Sequence, residues 1–273
     1  LGERGMPLLP DPTPPQRAAV LVLESTYGDR DHRPLAQTQE ELLGAVREGI
    51  AARGMILMPA FAVGRTQTLI YELNQLLRAG KIPAVPVFVD SPMATTATRL
   101  YEQSAEYFDD EAVRWLREEG NPLRFPGLQL CSTADESRAL NHRAGPAIII
   151  AGAGMCTGGR ILHHLRHHVY KKTTHVIIAG FQAEGTLGRR LVNGEKTVRI
   201  FGEPVSVEAK IHTIGGLSAH AGQSTLVAWC GAVAQAGRTR LYLTHGENRQ
   251  RAMLAERLWN EQGLRAELPM VVS

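Results

Sequence analysis

Short apolar runs of strand length alternate with amphipathic stretches of helical period along most of the 273-residue chain. That alternation restricts it to an α/β architecture, a parallel sheet flanked by helices. AAVLVLE (18–24) is an unbroken apolar run, the pattern of a strand covered on both faces. From Pro34 apolar residues recur at helical spacing as far as Gly54, which predicts a helix closed by a glycine C-cap. MILMPAF, VPVFVD, PAIIIAG and THVIIAGF predict further strands, with RTQTLIYELNQLLRAG, ATTATRLYEQSAEYF, SRAL and RILHHLRHHVY as helices between them. DDEAVRWLREEGNPLRFPG is polar and reads as a helical excursion on the surface. After residue 195 the texture changes, and KTVRIFGEPVSVEAKIHTI reads as antiparallel strands joined by small turns. Helix QSTLVAWCGAVAQAG, strand LYLT, helix RQRAMLAERLWNEQG and a terminal AELPMVVS follow.

Composition narrows the class without naming a function. Hydrophobic residues at 44% and charged residues at 21% exclude a disordered or fibrous chain. No apolar run is long enough to span a bilayer and no secretory signal opens the sequence, so a soluble cytoplasmic protein with no membrane partner is expected. Cys131, Cys156 and Cys230 form no C-x-x-C pair, which fits a reducing compartment. The net charge of +3 is too small to announce nucleic acid. Lysine, however, occurs only at Lys81, Lys171, Lys172, Lys196 and Lys210, and the arginine that carries the rest suits phosphate recognition. A GC-rich genome or a heat-adapted proteome gives the same bias.

Three polar groups lie at the ends of apolar segments or in the loop just after: Glu24 after AAVLVL, His220 after IHTIGGL and His245 after LYLT. Functional groups of open α/β sheets gather at strand carboxyl ends, so three distant segments are candidates for one site. His245, followed by Gly246 and Glu247, has the setting of a metal ligand held by a rigid strand, and Glu24 that of a carboxylate orienting an imidazole. AGAGMCTGGR passes from strand to helix and makes either an anion site, with Gly158, Gly159 and Arg160, or a tight packing turn. Thr157 and Ile178 stand where a dinucleotide fingerprint needs glycine and an acid, which excludes that cofactor. Arg65 in FAVGRTQ, and Gly185 and Arg189 in FQAEGTLGRRL, repeat the pairing of a glycine turn with arginine, as an elongated phosphate-lined surface requires. HHLRHH (163–168) reads as a polar helix face with His163 turned to phosphate, because no further ligands lie nearby.

ESTYGDR, FAVGRTQ, DSPMA, GMCTGGR, FQAEGTLGR, LSAHA and THGE, in this order and spacing, resemble the β-CASP ribonucleases of the metallo-β-lactamase superfamily. The likeness is to bacterial and archaeal RNA-processing nucleases similar to the pre-mRNA 3′-end cleavage endonuclease. It implies a β-CASP domain (36–209) inserted in the C-terminal half of a metallo-β-lactamase αββα sandwich (1–35 and 210–273). It also implies a zinc-dependent endoribonuclease, with or without 5′ exonuclease activity, in which Glu24 is the motif A acid and His220 the motif B proton donor. His245 would be the motif C zinc ligand, and two zinc ions would polarise the scissile phosphate and generate hydroxide. RNA is the implied partner, and a homodimer is left open. The family's H-x-H-x-D-H stretch is absent and the chain opens on Leu1, so it reads as a truncated form that retains neither zinc nor activity. A non-catalytic RNA-binding subunit or paralogue is the alternative.

Overall fold

The computed structural model describes residues 1–235 and 238–269, and the chain divides into two compact units. The smaller comprises Leu1–Met6, Pro10–Arg33 and Ser218–Ser273; the larger comprises Pro7–Leu9 and Pro34–Leu217, and is therefore inserted into the sequence of the smaller. Strand β1 (Val20–Glu24) precedes the insertion, which runs α1 (Leu35–Ala51), β2 (Met55–Pro59), α2 (Arg65–Arg78), β3 (Val87–Asp90) and α3 (Pro92–Gln103). It continues through α4 (Asp110–Glu118), β4 (Leu128–Cys131), α5 (Ala134–Leu140), β5 (Ala147–Ala151), α6 (Arg160–His168), β6 (His175–Ile178) and α7 (Leu187–Val192). Strands β7 (Thr197–Ile200), β8 (Glu203–Ser206) and β9 (Lys210–Thr213) complete it. The smaller unit then closes with α8 (Gln223–Val233), β10 (Arg240–Thr244), α9 (Asn248–Gln262) and β11 (Ala266–Glu267).

The larger unit is built on a six-stranded sheet of order β4-β3-β5-β2-β6-β9 in which every pairing is parallel. Its central strands are apolar on both faces: all five residues of MILMP and all five of AIIIA are buried. Each such Leu or Ile contributes about 1.5–3 kcal/mol on leaving water, which drives helices onto both faces. Helix starts follow local chemistry: Ser91 caps α3 ahead of Pro92, and Thr133 with Glu136 forms a capping box on α5.

Several expectations are corrected. β9 joins the larger sheet parallel to β6, and only β7 and β8 form an antiparallel hairpin. Residues 210–217 therefore lie in the larger unit, because the backbone of Lys210–Thr213 pairs with His175–Ile178. Helix α1 ends at Ala51, and Arg53, not Gly54, takes the left-handed conformation at φ +53°. Gly54 is required for another reason: a Cβ there would lie 1.7 Å from the Thr173 carbonyl oxygen. Within this chain Leu21 and Leu23 of β1 pack with Leu226, Leu241, Leu243 and Leu254, while Val20 and Val22 on the other face are 55% and 65% exposed. The excursion after Phe108 is anchored as well as exposed, because α4 buries Trp115 with its ring 4.9 Å from Tyr71.

The last residues expected in the α8 helix, 236–237, and the end of the terminal segment, 270–273, lie outside the described residues. Among the described residues no helix is long and apolar enough to cross a membrane.

Candidate active site

Strands β1 and β10 run parallel in register, Leu21 beside Leu241 and Glu24 beside Thr244, so the turns that leave them start level. Those turns are tied together. Ser25 donates its hydroxyl to the Thr244 carbonyl at 2.8 Å and its N–H to the His245 carbonyl at 3.3 Å. His245 sits at φ +48°, a conformation that costs a side-chain-bearing residue energy and is found at functional sites. Gly246 follows so closely on Ser25 that a Cβ would lie 2.6 Å from the Ser25 oxygens. The turn thus packs its backbone inward and leaves the imidazole to project.

His220 arrives differently. Among the described residues no strand of its unit leads directly into it; it stands in the loop ahead of α8. Glu3 accepts hydrogen bonds from the Gly222 N–H at 2.5 Å and the Thr225 hydroxyl at 2.7 Å. His32 Nε2 lies 2.7 Å from the His220 carbonyl, and the Ala221 N–H donates to the Leu1 carbonyl at 3.0 Å. Four tethers hold a segment that its small residues alone would leave loose.

The structure brings Glu24, His220 and His245 to one place. Glu24 Oε2 lies 3.3 Å from His220 Nδ1 and accepts the Thr26 N–H at 2.9 Å. The two imidazoles stack with centroids 5.2 Å apart and planes 27° apart. Thr26 Oγ1 stands between them, 3.4 Å from His220 Nδ1, 3.1 Å from His245 Nδ1 and 3.2 Å from the His245 carbonyl. Burial pushes the Glu24 carboxyl upward, but hydrogen bonds from His220 and Thr26 outweigh it and hold the pKa down at about 2. Glu24 is therefore an anion at neutral pH that fixes His220 Nδ1 as a donor and leaves Nε2 facing outward. When Thr26 gives its hydroxyl proton to the His245 carbonyl, His245 Nδ1 donates to that hydroxyl and Nε2 keeps its lone pair.

These donors fit a metal of the zinc type. Two imidazoles and a carboxylate present ligand atoms within 4.8 Å of one another, the nitrogen and oxygen set that zinc takes. Glu24 Oε1 is buried, accepts no hydrogen bond among the described residues, and lies 3.6 Å from the Leu1 amino group. Because Glu24 Oε2 and His220 Nδ1 are taken up by each other, His245 remains the one of the three not held in that pair, and it is the ligand that sequence reasoning counted.

The glycine-arginine turns of the larger unit also come together, because β5, β2 and β6 are neighbours and the turns leave their carboxyl ends. Gly154 lies against the Phe61 ring, where a Cβ would be 2.8 Å from Cδ2, and Gln182 Nε2 donates to the Gly154 carbonyl at 3.0 Å. The Gly188 N–H donates to the Met155 carbonyl at 3.1 Å, and Arg65 Nη2 lies 3.9 Å from where a Gly180 Cβ would stand. Arg189 lies over the Phe181 ring at 5.6 Å; Gly158 and Gly185 border open space. Gly159, at φ +73°, opens α6 with its Cα so near the Gly152 carbonyl that a Cβ would lie 2.4 Å from the oxygen. His163 is exposed and packs on Phe201 at 4.8 Å.

Arg160 is set apart from this surface. Its guanidinium is committed to Asp90 Oδ1 at 2.7 Å and to the Cys131 and Ser132 carbonyls. Asp90 is wholly buried, with Oδ2 accepting the Ser137 hydroxyl at 2.6 Å and lying 2.7 Å from His164 Nε2. HHLRHH thus has two faces, His163 and His167 exposed and His164 and His168 buried, where a single polar face was expected. Sequence reasoning missed Thr26 as the group linking the two histidines, and Asp90 as the anchor of Arg160. Both lay inside quoted motifs, ESTYGDR and DSPMA, but their partners are up to 219 residues away.

Two family models match the chain. Residues 66–191 match the Beta-Casp domain, and residues 204–269 match the Zn-dependent metallo-hydrolase RNA specificity domain. The chain is 38% identical over 258 residues to Ribonuclease TTHA0252 of Thermus thermophilus, covering 94% of this chain and 58% of that protein. It is 32% identical over 254 residues to an RNase J-like protein of Methanocaldococcus jannaschii, covering 92% and 58%. With the transcription termination factor FttA of Thermococcus kodakarensis it shares 30% identity over 261 residues, 93% of this chain and 40% of that protein. The chain thus spans between two fifths and three fifths of the length of these relatives. With its inserted α/β unit, Glu24 and His245 at strand ends, His220 in the loop ahead of α8 and both domain matches, the chain belongs to the β-CASP family of the metallo-β-lactamase superfamily.

Proposed function

We propose that this chain serves a zinc-dependent ribonuclease that hydrolyses RNA phosphodiester bonds. The observation that carries the reading is the convergence of His220 and His245 on the Glu24 carboxylate. The RNA specificity domain match and the relatives named as ribonucleases support RNA as the substrate. Zinc, when bound, supplies positive charge that polarises a phosphodiester and acidifies water, and His245 Nε2 is the nitrogen left available to hold it. The remaining work falls to side chains. Glu24 holds His220 by Nδ1 and so orients the ring, and Nε2 is the atom that would deliver a proton to the oxygen that leaves phosphorus. Arg65, Gly158, Gly159, Gly185, Arg189 and His163 line the turns where backbone amides and guanidinium groups would track the RNA backbone. In this reading Arg160 is a positioning residue, which braces the turn through Asp90.

Cleavage of an end-labelled single-stranded RNA with Zn2+ supplied tests the proposal, and turnover by the chain would at the same time overturn the expectation that it retains neither zinc nor activity. Glu24→Gln, His220→Ala and His245→Ala are each expected to slow cleavage by about 10²–10⁴-fold, with zinc retention reduced in His245→Ala but kept in His220→Ala. Wild-type cleavage by His220→Ala would overturn it.

A further inference from the structure

Glu48, His175 and His212 form a second convergence of donors, confined to the larger unit. It is built on the first residue of β6, an inner position of β9 and the end of α1, and none of its residues belongs to the glycine-arginine turns. Three rigid elements supply it. His175 opens β6, His212 is the third residue of edge strand β9, and Glu48 stands in the last turn of α1. The register places His175 beside Lys210, so His212, two residues along, faces the same side of the sheet. Helix α1 is held close there, since a Cβ on Gly49 would be 3.4 Å from the His175 Cβ.

The two imidazoles stack at 5.0 Å with planes 17° apart, and His175 Nδ1 lies 2.8 Å from His212 Nε2. Without an ion, one of these nitrogens must donate and the other accept. Two nitrogens on a tetrahedral zinc at about 2.0–2.1 Å stand about 3.3 Å apart, so the pair need open by only about 0.5 Å to take a metal in place of the shared proton. A Glu48 carboxylate oxygen is within 4.8 Å of both. His175 is 5% exposed, and burial keeps both imidazoles below their ordinary pKa and so in the unprotonated, ligating form. Lys210 Nζ, 2.5 Å from Glu48 Oε2, now occupies the carboxylate and stands as the competing cation.

We propose that Glu48, His175 and His212 form a binding site for a divalent transition-metal ion of the zinc, cobalt or nickel class, with water completing the coordination and Lys210 setting the affinity. Imidazole and carboxylate ligands select this class over magnesium or calcium. The site is independent of the one at His245.

The test is a Co2+ titration followed by visible absorbance, with equilibrium dialysis against Zn2+. It uses the untagged chain in a His245→Ala background, so that failure of the proposed nuclease site leaves the result untouched. One saturable equivalent is expected, weakened at least tenfold in His212→Gln and tightened severalfold in Lys210→Met. Circular dichroism verifies that both variants are folded, and Lys210→Met keeps both imidazoles should His212→Gln fail to fold. The absence of saturable binding, or isotherms unchanged in both variants, would overturn the proposal. So would binding that survives His212→Gln and disappears in His163→Ala/His167→Ala.

Discussion

Asp90 offers the sharpest test of how the larger unit is held together. Its side chain has no solvent exposure and gathers three donors on two oxygens, Arg160 on Oδ1 and Ser137 with His164 on Oδ2. Asp90→Asn keeps the shape but replaces one acceptor with an NH2 group that faces those donors. Arg160 is 20% exposed and can recover water, whereas His164 is wholly buried and cannot. Breaking a buried pair in this way costs about 3–5 kcal/mol, while Arg160→Gln, which leaves Asp90 two donors, should cost about 1–3 kcal/mol. Guanidinium unfolding followed by Trp115 fluorescence, with Trp229 and Trp259 replaced by phenylalanine, isolates the larger unit. Acid provides a second arm. Burial pushes the Asp90 carboxyl up from 3.8, but hydrogen bonds from His164, Ser137 and Arg160 outweigh it and hold the pKa lower in the folded chain. Its stabilisation is therefore complete above pH 3.8 and disappears as the pH falls through the lower folded value, so the gap between wild type and Asp90→Asn should narrow in acid. A loss below about 1 kcal/mol at neutral pH, or a gap that does not narrow in acid, would refute the reasoning.

Two further outcomes are expected. Gly159→Ala meets both a positive φ and the Gly152 carbonyl and should lower stability by about 1–3 kcal/mol, while Gly158→Ala, with nothing within 4 Å, should be tolerated; thermal melts of the pair check this. Arg65→Ala and Arg189→Ala should each weaken single-stranded RNA binding and reduce the salt slope by about 0.7 for each phosphate released, measured by fluorescence anisotropy over a salt series.

The strands and helices were legible where period and length agree, as in MILMP, AIIIA and the helix from Leu35. Direction and depth were less so. KIHT has the same short, mixed pattern in either orientation, and only its partner, HVII, makes it parallel. VLVLE is apolar at every position up to its final acid, so its burial was set by what packs on it and not by pattern. Helix period divides HHLRHH into two faces but does not say which turns inward; Asp90, 74 residues away, decides that for His164. At the candidate site the charged and imidazole groups stood out, whereas Thr26 did not, because a threonine between two histidines is visible only once β1 and β10 are side by side.

That pairing also bears on how the chain reaches its fold. Val20 and Arg240 are neighbours in space with about 220 residues between them, most of them belonging to the insertion. Bringing the ends of an unstructured loop of that size together costs roughly 5 kcal/mol in chain entropy, and contacts of such long range form late. Once the inserted unit has folded, its two ends are fixed and most of that cost is gone. The less costly order is the one in which the insertion folds first, so in pulsed hydrogen exchange the amides of β2 and β5 are expected to gain protection before those of β10 beside His245.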